Sequence, residues 1–273
     1  MQATVGVTSS NSGSHVLDRV LVGIDASSAS VEAARQAAVL VERYGELTLL
    51  AVSPPPPRVG LDVDDEFDPD HVQAQAEEAL AAARGAVGTL AVPATRVVRG
   101  HAWNRLADEA ERARQTLIAV GSHDRRRLGG ILAGSTATHL IHKAPCSVLL
   151  ARPAGRRFPQ RVLVGLDGSP ESALAYATGR RIADRFVCEL RAVVAVNGDR
   201  ANLAEIVRLT GERYEQLPGE PVDALVAASV HVDLLVVGSR GLHGVRALGS
   251  VSERVAHTVG CSTLIVRPPR GPQ

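Results

Sequence analysis

Short, wholly apolar runs alternate with longer stretches of helical periodicity through most of the chain, beginning with RVLVGID at 19–25. Runs that are apolar at successive positions predict strands buried on both faces, and their alternation with helices is typical of βαβ units in a parallel sheet. In the first part of the chain we predict strands at 19–25, 47–52, 95–99, 116–121 and 147–151. The helices that connect them are predicted near 28–44, 71–86, 101–114 and 136–143.

The pattern is an internal repeat. The run at 19–25 recurs as RVLVGLD at 161–167, and TLIAVGS at 116–122 recurs as DLLVVGS at 233–239. The second copy is shorter between these two motifs, so we expect it to have lost about a helix and its loops. We predict its strands at 161–167, 188–196, 212–217, 233–238 and 262–266, with a short second helix within 201–210.

These elements predict an α/β protein with two tandem Rossmann-like domains, each an open five-stranded parallel sheet flanked by helices, the second domain shortened. The start of the chain is rich in Ser, Thr, Gly and Asn and has neither a basic start nor an apolar run, which favours a disordered tail over a signal peptide. We place the tail at 1–15, the first domain at 16–153, a linker at 154–160 and the second domain at 161–270.

Composition excludes several classes of function. The 273 residues carry a formal net charge of +1 and only three Phe, three Tyr and one Trp, so we expect no nucleic-acid partner. No apolar run is long enough to cross a membrane. Three widely spaced cysteines favour a reducing cytoplasm over a disulfide framework. Lys143 is the only lysine and Ala144 follows it, which excludes a phosphate loop of the G-x-x-x-x-G-K-[ST] kind.

We expect the ligand-binding residues to follow the fourth strand of each copy. In the second copy the motif GSRG at 238–241 is followed by seven residues and then by Gly249-Ser250 at the start of a helix. Parallel sheets bind ligands at the carboxyl ends of their strands, glycines let a phosphate approach the backbone, and helix N-termini attract anions. Ser250 and Glu253 also have the spacing of a capping box, so the serine either contacts a ligand or simply caps its helix.

Both copies resemble universal stress protein domains. In the second, the matching segments are VGLDGSP at 164–170, the GSRG turn, Gly249-Ser250 and CSTLIVR at 261–267; in the first they are GID at 23–25, GSH at 121–123, Gly134-Ser135 and APCSVLL at 144–150. These motifs occur twice in the same order and cover nearly the whole chain after the tail. The resemblance implies an adenine nucleotide α-hydrolase-like fold, a tandem pair packed like a dimer, and a role in stress or dormancy responses.

The family contains members that bind ATP through a G-x2-G-x9-G-[ST] motif and members that bind no nucleotide. For this chain the resemblance implies an ATP site, with or without Mg²⁺, in which Asp25 and Asp167 lie beside the ribose or the metal and phosphates. Val52 and Val196, at the ends of the second strands, would contact adenine. The residues that would cradle the ribose and phosphates are Gly121, Gly134, Ser135, Gly238, Gly241, Gly249 and Ser250.

Neither copy matches that motif fully. In the first copy the nine-residue spacer is right, but Asp124 stands at the second glycine position. A carboxylate about 4 Å from a phosphate costs several kcal/mol unless a metal or the neighbouring arginines at 125–127 compensate. In the second copy the glycines are present, but the spacer at 242–248 has seven residues, and the lost helix would open one wall of the pocket.

Other residues carry weaker signals. His139 and His142 lie three apart on one predicted helix and either share a metal or are solvated, with no third ligand spaced nearby. Trp103 is expected to pack rather than to stack on a ligand. Cys146 and Cys261 are expected to behave as small buried hydrophobes, with a redox role unsupported.

Three hypotheses about function follow. The favoured one is an ATP-binding regulatory protein of the stress response that changes its contacts with an unidentified protein partner. The alternative is a scaffold of the same family whose degenerate pockets bind no nucleotide. An enzyme is the least supported, because no nucleophile, base and orienting group have the spacing of a triad, so we expect none. We also expect the two halves to pair within the chain through their last strands, and we consider a homodimer of such chains.

Overall fold

All ten predicted strands are present in the computed structural model, which describes residues 16–55, 68–122, 135–196, 202–239 and 250–268. The predicted tail at 1–15 lies outside the described residues. The strands are β1 (Arg19–Ile24), β2 (Glu46–Ser53), β3 (Ala94–Arg99), β4 (Leu117–Gly121), β5 (Ser147–Ala151), β6 (Arg161–Leu166), β7 (Glu189–Val196), β8 (Glu215–Pro218), β9 (Leu234–Gly238) and β10 (Ser262–Val266).

Helices follow most of the strands. They are α1 (Ser28–Leu40), α2 (Pro69–Val87), α3 (Ala102–Arg112), α4 (Ser135–Lys143), α5 (Pro170–Phe186), α6 (Leu203–Thr210), α7 (Pro221–Ala228) and α8 (Val251–Thr258). None of these helices is long and apolar enough to span a membrane. The residues proposed as a linker, 154–160, contain neither strand nor helix, and the domain boundaries themselves stay a prediction.

The strands form one sheet in the order β3-β2-β1-β4-β5-β10-β9-β6-β7-β8. Pairing is parallel within each half, and the halves meet where β5 and β10 pair antiparallel, with Leu149 opposite Leu264. The predicted pairing of the last strands is therefore confirmed. Because the seam is antiparallel, the carboxyl ends of the strands in one half lie at the same edge as the amino ends of the strands in the other half.

Helices cover both faces of this sheet, and the core is correspondingly divided into two buried clusters. Helices α1, α2, α5 and α6 pack on one face through residues such as Leu40 and Ile182, while α3, α4, α7 and α8 pack on the other through residues such as Leu106. In β1 the side chain of Val20 joins the first cluster and that of Leu21 joins the second. Burial on both faces explains why the strand sequences are apolar at successive positions.

The expected loss of a helix from the second half is wrong, whereas the short second helix expected within 201–210 is confirmed. Helix α6 is present but has 8 residues, whereas α2 has 19, so the missing sequence shortens a helix and its connections. Helix α1 also differs from the prediction, because it ends at Leu40 rather than near residue 44. Arg185, from α5, donates to the carbonyls of Val39, Leu40 and Val41. A cation at these last carbonyls favours ending the helix there.

A matching pair of arginines ties the halves together. Arg152, after β5, donates to the carbonyls of Ala256 and Cys261 at distances of 2.5 and 2.9 Å. Arg267, after β10, donates in the same way to the carbonyl of Ala144 at 2.6 Å. Each arginine thus binds the C-terminal end of the last helix in the opposite half, where a positive charge complements the helix dipole.

Candidate functional site

Each half has a cavity at the carboxyl ends of its central strands. In the first half the neighbours of β1 are β2 and β4, so the order of the strands reverses beside β1. This is the position at which open α/β sheets bind ligands. The first pocket, about 410 Å³, lies here, and the second pocket, about 220 Å³, lies at the corresponding place beside β6 and β9.

The floor of the first pocket is apolar. It is formed by Leu50 and Val52 from β2, Leu106 from α3, Val120 from β4 and Leu150 from β5. Leu50, Leu106 and Leu150 are no more than 1% exposed, so this floor is continuous with the core. An apolar surface of this kind suits an aromatic ring, and the polar groups of the pocket lie around its rim.

Asp25 stands at that rim, immediately after β1, and is held by its own turn. Its Oδ1 accepts a hydrogen bond from the backbone N–H of Ser27 at 2.9 Å and a second from the Ser27 hydroxyl. Ser27 in turn caps α1, and the Ser30 hydroxyl donates to the Asp25 carbonyl at 2.7 Å. In the second half Asp167 accepts the same two bonds from Ser169, at 2.9 and 2.6 Å. Both aspartates are therefore fixed in place before any ligand arrives.

Two predicted glycines have a packing role that their sequence motif did not indicate. A Cβ on Gly121 would lie 2.6 Å from the carbonyl oxygen of Ala29, in the first turn of α1. A Cβ on Gly238 would lie 2.5 Å from the carbonyl oxygen of Glu171, in the first turn of α5. Real Cβ atoms do not approach so closely, so glycine at the ends of β4 and β9 lets the first turns of α1 and α5 pack against the sheet.

The structure brings together only part of the predicted site. The first pocket contains Asp25, Val52 and Gly121, and the second contains Asp167, Gly238 and Ser250. Ser250 caps α8 by accepting from the backbone N–H of Glu253 at 3.3 Å, as the capping box predicts. Val196 is not among the described residues that line the second pocket. Outside the described residues lie Gly134, Gly241, Gly249, the side chain of Ser135, and Asp124.

The second pocket is smaller and more acidic. Its lining includes the carboxylates of Asp167 and Glu171. Glu171 occupies the position in α5 that Ala29 occupies in α1, so the first half has no carboxylate there. The apolar residues among its described lining are Ile141 and Val251, in place of the broad apolar floor of the first pocket. No residue of α6 is in that described lining.

Comparison with known proteins decides the family. The sequence profile of the Universal stress protein family matches residues 17–152 and 210–267, one segment in each half. The chain belongs to the universal stress protein family.

Some relatives match most of the chain, and others match only part of it. A universal stress protein of Mycolicibacterium smegmatis is 31% identical over 291 residues, covering 91% of this chain and 97% of that protein. One from Mycobacterium tuberculosis is 32% identical over 192 residues, which are 59% of this chain and 63% of that relative's length. The crystal structure of a universal stress protein from Archaeoglobus fulgidus has a TM-score of 0.74 at 22% identity, covering 92% of this chain and 99% of that one.

In this universal stress protein each pocket also receives a histidine from the opposite half. His257 of α8 lines the first pocket, and His142 of α4 lines the second. Nε2 of His142 lies 2.9 Å from Oε1 of Glu253, but the ring is not aligned for a hydrogen bond, so the attraction is that of a close charge pair when the imidazole is protonated. The internal repeat could have revealed these histidines, because each stands four residues before the cysteine that precedes its last strand, Cys146 or Cys261.

The remaining sequence candidates serve the fold. His139 stacks on Trp103, with the ring centroids 4.8 Å apart, rather than sharing a metal with His142. The part of the chain that the structure describes contains no group of three potential metal ligands. Cys146 and Cys261 are each 7% exposed, which confirms that they are small buried residues. Burial raises the pKa of the Cys261 thiol to about 11.

Proposed function

We propose that this universal stress protein is a regulatory protein of the stress response that binds one adenine nucleotide, ATP, in its first pocket. The observation that carries the proposal is the cavity of about 410 Å³ at the reversal of strand order, with an apolar floor and a polar rim. Sites for small molecules commonly measure about 300–1,000 Å³ and combine these two features. Membership of the family supports the role in stress.

The residues that line the pocket suggest a place for each part of the nucleotide. The base would lie on the apolar floor against Val52 and Leu106, and the ribose would lie beside Asp25 and Gly121. The phosphates would point towards the first turn of α4, which lines the pocket through Thr136–Thr138. The N–H groups at the start of a helix attract anions. A Mg²⁺ ion would accompany the phosphates, since one carboxylate and substrate oxygens are its usual ligands.

The second pocket fits a triphosphate poorly. It has about half the volume of the first, and the carboxylates of Asp167 and Glu171 would repel a polyphosphate. We therefore assign the second half a supporting role rather than a second ATP site. Gly238 and Ser250 then serve the packing and capping of this half.

The proposed activity is binding rather than turnover. Occupancy of the first pocket would alter the surface presented to a protein partner, with hydrolysis absent or slow. The cytoplasm is the proposed location, which agrees with Cys146, Cys188 and Cys261 being outside any disulfide.

Matched substitutions in the two halves test the site. Val52→Trp fills the apolar floor, and Ala195→Trp makes the same change at the equivalent position of the second half, since Ala51 pairs with Ile24 as Val194 pairs with Leu166. We expect calorimetric titration with ATP to show a loss of affinity of about tenfold or more for Val52→Trp, which corresponds to about 1.4 kcal/mol, and no change for Ala195→Trp. Circular dichroism checks that both variants fold. Unchanged binding by folded Val52→Trp contradicts the proposal, and a wild-type protein that binds no ATP at millimolar concentration favours the scaffold alternative.

A further inference from the structure

His257 reaches a pocket that belongs to the other half of the molecule. Because β5 and β10 are antiparallel, the C-terminal turn of α8 lies beside the carboxyl ends of β1 and β4. Arg152 fixes that turn by donating to the carbonyl of Ala256, the residue before His257, at 2.5 Å. The imidazole consequently lines the first pocket, together with Thr138 from the first turn of α4.

In the second half, the histidine at the equivalent position lies beside a carboxylate. There His142 replaces His257, and the first turn of α8 carries Glu253, whose carboxylate lies 2.9 Å from the imidazole. The repeat places Thr138 of α4 at the position of Glu253. The second half therefore has an anion built into the chain at a point where the first half has a neutral hydroxyl.

We propose that His257 recognises a phosphate group of the nucleotide bound in the first pocket, at the place that the Glu253 carboxylate takes beside His142. This inference rests on the nucleotide site proposed above and names the residue that contacts the phosphate of the nucleotide. The start of α4 and the imidazole would contact the anion from two sides. Nε2 of His257 is a buried atom, and charge interactions are stronger away from water.

Nucleotide binding would then depend on the contact between the halves. The base and ribose would be held by the first half, while the phosphate would also be held by α8 of the second. A bound nucleotide would therefore strengthen the seam that Arg152 and the antiparallel strands already form. In this way a nucleotide bound in the first pocket would directly alter how the two halves pack against each other.

The test compares ligands with and without phosphate. Dissociation constants for ATP, AMP and adenosine are measured by calorimetry on wild type, His257→Ala, His257→Gln and the matched control His142→Ala. We expect His257→Ala to weaken ATP and AMP by about tenfold or more and to leave adenosine unchanged, with intermediate values for His257→Gln. His142→Ala should change none of the three. The glutamine variant retains a side chain of similar size if the alanine variant does not fold.

Several results would contradict this inference without contradicting the proposed function. Equal losses for adenosine and ATP in His257→Ala would mean that the histidine only shapes the pocket. Unchanged ATP binding in that variant, or wild-type affinities that are equal for ATP and adenosine, would remove the phosphate contact while leaving the nucleotide site intact. A wild type that binds neither ATP nor adenosine would overturn the nucleotide site and this inference together.

Discussion

Replacing Arg267 with methionine tests how strongly the two halves are tied. Arg267 is 6% exposed, and its guanidinium donates to the carbonyl of Ala144 at 2.6 Å and to that of Ile141. Both acceptors are buried at the C-terminal end of α4. Methionine retains much of the side-chain volume but removes the charge and every donor.

The size of the effect follows from these contacts. A hydrogen bond from a charged donor contributes about 1.5–3 kcal/mol, and a buried carbonyl left without a donor costs about 1–3 kcal/mol. Removing the guanidinium also removes its own desolvation penalty, which offsets part of the loss. We therefore expect Arg267→Met to lower the free energy of unfolding by about 2–4 kcal/mol. Arg152→Met should lower it by about 1–2 kcal/mol, because the side chain of Arg152 is less buried and water can replace part of it.

Urea denaturation followed by circular dichroism measures both variants. Linear extrapolation gives the free energy of unfolding, and an unchanged m-value shows that the same surface is exposed in each protein. The reasoning is refuted if Arg267→Met lies within about 0.5 kcal/mol of wild type, the range of ordinary surface substitutions. A larger loss for Arg152→Met than for Arg267→Met would also contradict it.

Two further predictions concern packing and a buried thiol. Gly121→Ala places a Cβ against the Ala29 carbonyl, so we expect thermal unfolding to show a loss of about 1–3 kcal/mol; no loss would mean that α1 does not pack there. The Cys261 thiol, with a pKa of about 11, keeps its proton in the folded state where the unfolded thiol loses it. Its contribution to stability is complete below about pH 9 and is lost towards pH 11, at about 1.4 kcal/mol per pH unit. Wild type should therefore lose more stability over this range than Cys261→Ala, and parallel curves would contradict this.

The strands could be predicted from the sequence because each is buried on both faces. Val20, Leu21 and Val22 are all 0% exposed, so burial leaves a continuous apolar run. The mistaken loss of a helix shows the limit of counting residues. A length deficit does not distinguish a missing helix from a short one, and α6 persists because Asn202 caps it and Ile206 is fully buried.

The site could be predicted only in part, since it is assembled across the seam. Asp25 and Val52 follow strands of the same half, and strand order alone brings them together. His257 comes from the far end of the chain, and periodicity within elements does not reveal which elements meet. Only the antiparallel pairing of β5 and β10 places it beside Thr138. Gly121 lines the first pocket as predicted, but its close packing against α1 could not be predicted from its motif.

The number of ATP molecules bound per chain is the most direct measurement of the nucleotide assignment. Calorimetric titration gives this number, and mass spectrometry of small molecules released on denaturation of the freshly purified protein checks it. We predict one nucleotide per chain, in the first pocket, lost in Val52→Trp and kept in Ala195→Trp. Two nucleotides per chain would contradict the exclusion of the second pocket, and none at millimolar ATP would contradict nucleotide binding by this protein.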